Sequence, residues 1–281
     1  MFKVIGCSTM GKYHIGDHNV FIGKNNQDAY SIKESENAIV GIICDGCGSL
    51  PYSEFGATLG SQFLSQNISE KIETTHKIVT NNCVFMNWPE LILQATDELL
   101  IKIKELCKIL QPPRNYFLFT IIGFIKNKNQ IIIFSIGDGF YGIKYRISGE
   151  QIFKKIEPME GNAPPYLFYK LENRKIDIKI NEYLQVTDVE SLIIGTDGLA
   201  DYEKNIGCKI PGKQEVVSTF DVLWGDKFKT EDELSRYMRS LNRTRYTVDL
   251  ENKKLNVETG LLIDDTTIIV LKRENNNENW T

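Results

Sequence analysis

Carboxylates stand at the ends of the chain's hydrophobic runs, and this placement limits the folds open to it more than any other feature. Asp45 ends the run Ile39-Val40-Gly41-Ile42-Ile43-Cys44, Asp138 follows Ile131–Gly137, and Asp197 ends Leu192-Ile193-Ile194-Gly195-Thr196. Asp264 and Asp265 stand immediately before Thr266-Thr267-Ile268-Ile269-Val270, and Asp28 follows Asn25-Asn26-Gln27. Glycine follows the aspartate at Gly46, Gly139 and Gly198. Taken singly, each site is turn chemistry, because Asp-Gly is a good turn dipeptide. Taken together, carboxylates from distant segments would converge at one edge of a sheet. Like charges at close range raise one another's pKa, so such a cluster calls for a cation. Hard oxygen donors suit Mg²⁺ or Mn²⁺ rather than a thiolate-preferring metal.

The remaining pattern is mixed. Residues 2–10 and 28–34 read as strands, and 38–44 as a buried strand feeding a turn. A helix is expected from Ser53 as N-cap, with Phe55, Leu59, Phe63 and Ile72 on its apolar face. A second starts at Asn87, with Glu90 completing a capping box, and carries Leu91, Ile92, Ala95, Leu99, Ile103, Leu106 and Leu110 on one face before Pro112-Pro113 stops it. Strands are then expected over 116–126, 130–136, 140–147 and 151–156, a loop over 158–170, a strand over 191–197, a helix capped by Thr230-Glu231-Asp232-Glu233, and a last strand over 266–272. This order predicts one α+β domain with extensive antiparallel sheet over residues 1–273, and a disordered Asn-rich tail over 274–281.

Composition excludes several classes. The 281 residues carry 33 Lys+Arg against 37 Asp+Glu, so no basic surface for non-specific nucleic-acid binding is expected. No apolar run approaches the roughly 18 residues of a membrane-spanning helix, and no signal peptide is read at the N-terminus. The 6 cysteines contain one C-x-x-C, Cys44 to Cys47, with no second pair to complete a zinc site. Reduced thiols in a cytoplasmic protein are the expectation.

The motif series resembles the metal-dependent Ser/Thr protein phosphatases of the 2C type, in their compact bacterial branch. Asn25-Asn26-Gln27-Asp28-Ala29-Tyr30 is similar to the family's opening Asn-Glu-Asp-Ala element, and Cys44-Asp45-Gly46-Cys47-Gly48-Ser49 with Ser53-Glu54-Phe55-Gly56-Ala57 to its Asp-Gly-x-Gly turn and following helix. Gly137-Asp138-Gly139, Thr196-Asp197-Gly198-Leu199-Ala200-Asp201 and Asp264-Asp265-Thr266-Thr267 resemble the later elements, in the same order. The resemblance implies a four-layer α-β-β-α sandwich of two mainly antiparallel sheets flanked by helices. It implies two Mn²⁺ or Mg²⁺ ions, with Asp45 bridging both, the Gly46 carbonyl on one, Asp197 and Asp264 on the other, and Asp28 assisting through water. Asp138 and Asp201 match positions that some members use for a third ion. The implied activity is hydrolysis of phosphoserine and phosphothreonine in proteins by a metal-activated water, by a monomer opposing a Ser/Thr kinase or acting on its targets.

The chain departs from the family pattern at four points. Gln27 replaces the usual Glu, and Asp265 replaces the usual Asn as an added, harmless carboxylate. Cys47 stands where many relatives have His or Met. No Arg precedes Arg114, so the phosphate-binding candidates are His14 and Lys24, with His18 behind them. Segment 199–260, with Lys204, Lys209, Lys213, Arg236, Arg239, Arg243 and Arg245, is either a substrate-facing insertion or a solvated helix face. Two other readings compete. A pseudophosphatase would bind phosphoproteins without turnover. A nucleotide hydrolase would use Gly6-Cys7-Ser8-Thr9-Met10-Gly11-Lys12-Tyr13 as a phosphate-binding loop, although Tyr13 replaces the small hydroxyl that loop needs.

Overall fold

The computed structural model describes residues 1–15, 24–78, 86–157, 164–225 and 227–274. His18 and residues 275–281 of the expected 274–281 tail lie outside them, as does the first part of the expected loop over 158–170. In chain order the elements begin with β1 (Phe2–Thr9), α1 (Lys12–Ile15), β2 (Asp28–Glu34), β3 (Ile39–Gly46), α2 (Ser53–Ile78) and α3 (Trp88–Leu110). They continue with β4 (Phe119–Lys126), β5 (Gln130–Ile136), β6 (Gly139–Tyr145), β7 (Gln151–Ile156), β8 (Lys179–Gln185) and β9 (Val189–Gly195). The rest are α4 (Leu199–Lys204), α5 (Asp221–Trp224), α6 (Glu231–Leu241), β10 (Arg245–Asp249), β11 (Lys254–Glu258) and β12 (Thr266–Arg273).

Two five-stranded sheets carry the fold, ordered β1-β12-β9-β6-β7 and β2-β3-β4-β5-β8, and β10-β11 forms a separate pair. Every pairing within them is antiparallel. Side chains alternate across a strand, and here both faces of the inner strands are covered. From β3, Ile39 and Ile43 enter the core between the sheets, while Val40, Ile42 and Cys44 meet α2 and α3. From β12, Ile269 and Leu271 face the other sheet, and Ile268 and Val270 meet the layer that contains Tyr202, Trp224, Leu234 and Met238. Burial on both sides is why these strands read as continuous apolar runs. The expected α-β-β-α layering is the observed one.

Capping follows the sequence closely. Asn87 caps α3 by accepting from the Glu90 amide, and Gln111 closes it in a left-handed conformation before the prolines. The capping box at Thr230 and Glu233 starts α6.

The expected apolar face of α2 is only partly its buried side: Ile72 is buried, and Leu59 and Phe63 pack at the margin of the core. Phe55 is exposed and Leu59 and Phe63 are only half-buried, whereas Gly56, Ala57, Gly60, Ser61, Leu64, Ser65, Ile68, Ser69 and Ile72 face the core. Small residues let the helix approach the sheet closely, and hydrophobicity does not flag them. Ser53 begins α2 with its hydroxyl accepting from Gln27 Nε2 at 2.7 Å and donating to the Cys47 carbonyl at 3.3 Å, rather than capping the helix. The edge strand β8 and the β10-β11 pair were also not expected; their residues are mostly exposed or half-buried and lack a dense apolar run. Segment 199–260 divides. Its first part packs Ile210, Val217, Phe220 and Leu223 with α6 on the outer face of the first sheet, and the β10-β11 hairpin stands exposed beyond it. No helix among the described residues is long and apolar enough to cross a membrane.

The tight α2 approach is testable. A Cβ at Gly56 would lie 2.1 Å from the Tyr116 carbonyl oxygen, a backbone atom that cannot swing aside. Gly56→Ala is expected to cost about 2 kcal/mol or more in urea unfolding, although alanine normally favours a helix. An unchanged midpoint would mean that the helix does not pack so closely.

Candidate active site

The strand ends bring the aspartates together. Asp28 opens β2 and lies directly across from Asp45, the penultimate residue of β3. On its other side Asp45 pairs with Thr120 of β4. The Asp138 turn between β5 and β6 packs on that same threonine: Gly137 has φ +96°, and a Cβ there would sit 2.7 Å from Thr120 Cγ2. From the other sheet, Asp197 follows β9, and its turn is pressed so closely on the start of β12 that a Cβ at Gly198 would lie 2.1 Å from the Asp265 carbonyl oxygen. Asp201, in α4, accepts from the amides of Ile263 at 2.8 Å and Asp264 at 3.2 Å. It thereby fixes the segment that presents Asp264.

The electrostatics show one basin. Burial raises the Asp45 carboxyl well above the usual range, and Asp28, Asp197, Asp264 and Asp138 push it further. Burial likewise raises Asp28, with Asp265 and Asp264 adding to it, against hydroxyl hydrogen bonds from Thr267 and Thr196. The Thr196 bond is 3.0 Å long. Asp197 is pushed up to about 6 by burial and by Asp138 and Asp264. Asp138 and Asp264 are raised as well, burial first. Carboxylates this close, drawn from both sheets, are poised to gain from a divalent cation.

The donor chemistry fits that cation, because every candidate ligand is a hard oxygen. Among the described residues, no three His, Cys, Asp or Glu side chains are gathered tightly enough to hold an ion as they stand. The carboxylates line a basin rather than a finished cage.

Asp265 is the residue whose importance the sequence understated. It is 3% exposed. Its Oδ1 accepts from the Gly11 amide at 2.7 Å, its Oδ2 accepts from the Gln27 amide at 2.6 Å, and His14 Nδ1 lies 3.0 Å from the same Oδ2. The Asp265 carboxylate beside it is the main reason the His14 imidazole is more basic than usual. One buried carboxylate thus ties the β1–α1 turn, the residue before Asp28 and the residue after Asp264. The only sequence signal for this was the doubled Asp264-Asp265; the convergence of Gly11, His14 and Gln27 is tertiary.

Both phosphate-binding candidates reach the basin and are engaged there by the protein. His14 is buried against Asp265. Lys24 Nζ donates to the Gly48 carbonyl at 2.7 Å, in the loop after Asp45. An ammonium has three donors, so that bond leaves Lys24 capacity for an anion. Gln27 turns Nε2 to the Leu50 carbonyl and Ser53 Oγ, and its buried Oε1 has no partner among the described residues. Cys47 sits 3.3 Å from Ser49 Oγ, and the Tyr166 hydroxyl lies beside it.

The family model for protein phosphatase 2C matches residues 15–255. The chain belongs to the protein phosphatase 2C family. Members of this family are metal-dependent serine/threonine phosphatases. The solved structure of the serine/threonine phosphatase Stp1 from Staphylococcus aureus shares the fold at 15% identity and a TM-score of 0.56, over 98% of this chain and 96% of that one. A bacterial serine phosphatase does so at 14% identity and 0.56, over 99% of this chain and 100% of that one. A chain from a study of the bacterial stressosome does so at 14% identity and 0.51, over 97% of this chain and 100% of that one. No curated protein sequence matches the chain significantly.

In this protein phosphatase 2C fold the phosphate-binding-loop reading of Gly6–Tyr13 fails. Gly6, Cys7, Ser8 and Thr9 are strand residues, paired in register with Ile269, Ile268, Thr267 and Thr266. Their backbone is committed to a sheet, and it cannot wrap a nucleotide phosphate.

The hub role of Asp265 can be measured. Asp265→Ala strands two buried amides and an imidazole, and is expected to cost about 3 kcal/mol in urea unfolding in chelator-treated buffer. Asp265→Asn, which retains an acceptor, is expected to lose less than half as much. Wild-type stability in Asp265→Ala would remove Asp265 from the architecture of the site.

Proposed function

We propose that the chain is a Mn²⁺- or Mg²⁺-dependent phosphoserine and phosphothreonine protein phosphatase, acting as a single catalytic domain over residues 1–273. The convergence of mutually repelling carboxylates from both sheets at one end of the sandwich carries this reading. Asp45, the Gly46 carbonyl, Asp197 and Asp264 would hold two ions, with Asp28 assisting through water and Asp138 available to a third. Asp201 is the weaker candidate for that third ion, because one oxygen already accepts two backbone amides. Bound divalent ions supply a water acidified toward neutral pH and a positive clamp for the phosphoryl oxygens.

The chain's own residues do the positioning. Asp28 is held by the Thr196 and Thr267 hydroxyls, which favour its charged form against burial. Asp201 presents Asp264 through the backbone. Asp265 holds His14 close enough to Asp264 to lower that carboxyl's pKa by its charge. Lys24 projects from the segment before Asp28 to the loop after Asp45, where the donors it does not spend among the described residues would meet a phosphate oxygen. No side chain is required as a covalent nucleophile, and Cys47 is not assigned as one. The same reading makes the protein a cytoplasmic monomer whose substrates are phosphorylated proteins, among them a Ser/Thr kinase or its targets.

Phosphate release from a phosphothreonine peptide tests the proposal. Wild type is expected to turn over with Mn²⁺ and to stop with EDTA, and Asp197→Asn to fall by on the order of 10²-fold or more. Calorimetric Mn²⁺ binding is the parallel readout. Mn²⁺ binding without hydrolysis would favour the pseudophosphatase. No Mn²⁺ binding would reduce the aspartates to turn chemistry.

A further inference from the structure

We propose that Arg114 and Arg174 form a subsite for an anionic side chain flanking the phosphorylated residue of a peptide substrate, either a carboxylate or a second phosphate. The inference rests on the phosphatase reading above for the location of the scissile phosphate. The two arginines come from different segments, one from the turn after α3 and one from the turn before β8. Both guanidinium groups nevertheless lie over one ring: Arg114 Cζ is 5.3 Å and Arg174 Cζ 4.3 Å from the centroid of Tyr169. A single carboxylate bridges them, with Glu172 Oε1 2.9 Å from Arg114 Nε and Oε2 3.6 Å from Arg174 Nη2.

This trio carries two positive charges and one negative, so it is net cationic. It is also open. The Arg114 side chain is 49% exposed and that of Arg174 57%. A guanidinium has five N–H donors, and a shared carboxylate leaves most of them unspent. Stacking on Tyr169 and the bond to Glu172 hold the planes in advance, so little side-chain entropy is lost when an anion docks. An exposed ion pair adds little to folding stability, so stability alone is a weak account of two arginines converging on one ring.

Two links connect the arginines to the aspartate basin. Tyr169 packs edge-on against Tyr166 at 5.5 Å, and the buried Tyr166 lies beside Cys47, two residues after Asp45. Beside Arg114, Asn115 Nδ2 donates to the Pro51 carbonyl at 2.7 Å, in the same loop. Next to Pro51, Tyr52 holds φ +69° and is 55% exposed, with its ring 5.2 Å from Tyr116. An exposed aromatic kept in the left-handed region is a costly arrangement of the kind found at binding surfaces. Arg174 lies within about 10 Å of the Tyr166 ring, a span that an extended peptide of roughly 3.3–3.6 Å per residue crosses within a few residues.

The test compares kcat/KM on phosphothreonine peptides whose flanks carry glutamates, a second phosphothreonine, or only alanines, with p-nitrophenyl phosphate as a flankless control. Wild type is expected to prefer an anionic flank by about tenfold, through KM, and the preference should shrink as salt rises. The Arg114→Gln/Arg174→Gln double variant should lose that preference and retain its rate on the alanine peptide and on p-nitrophenyl phosphate. Which anionic flank is preferred distinguishes carboxylate from phosphate. Equal rates on all flanks in wild type, or an equal loss on every substrate in the variant, would overturn the subsite. If no substrate is turned over, fluorescence anisotropy of the same labelled peptides reads the subsite alone. Equal affinity of wild type and variant for the anionic peptides would then sink it.

Discussion

Repulsion among carboxylates that the two sheets force together is the constraint on which the rest of the structure depends. Asp28 and Asp45 are direct cross-strand partners. Like charges in that position destabilise a sheet, and the burial of Asp28 adds the cost of desolvation. Asp197 and Asp264 arrive from the second sheet and add their own fields. The fold holds this arrangement by surrounding it with obligations that are hard to release: the amides of Ile263 and Asp264 on Asp201, the amides of Gly11 and Gln27 on Asp265, and the Thr196 hydroxyl on Asp28. Each bond is modest, but each would leave a buried group unpaired if it broke.

The stiffness behind those bonds comes from the layers. A core lies between the sheets, and further cores lie on their two outer faces, so the inner strands cannot rotate or slip without moving side chains on both sides. A one-residue slip of β3 would exchange the residues facing α2 with those facing the other sheet and would carry Asp45 away from Asp28. Chemistry at the strand ends is therefore fixed by hydrophobic packing many residues away. The small-residue face of α2 belongs to the same logic, since Gly60 lies against Phe119 and Cys44, at the end of the strand that presents Asp45.

The parts legible in the sequence were those where one local pattern carried the information. Runs such as Leu192–Thr196 are short and closed by Asp-Gly, which favours strands buried on both faces over helices, and the polar residue that ends each run marks the sheet edge. The capping box at Thr230 likewise needs no tertiary context. What stayed hidden depended on contacts between distant segments. Much of the buried side of α2 is Gly, Ala and Ser, which carry little hydrophobic signal. β8 pairs only along β5, and its alternation is too weak to read alone. The role of Asp265 appears only when Gly11, His14 and Gln27 arrive around it.

Asp264 and Asp265 show how one dipeptide serves two purposes. The bend at Asp264, just before β12, turns the two side chains to different sides. Asp264 opens toward solvent and the basin, and Asp265 turns inward against two amides and an imidazole. Relatives that this chain resembles usually carry a neutral Asn at the second position. The interior accommodates the Asp265 side chain through the Gly11 and Gln27 amides and the neighbouring imidazole, so His14 and Asp265 act as a matched pair. The histidine read from sequence as a phosphate ligand is first the counterpart of a buried carboxylate, and its influence on the basin passes through the position of Asp264.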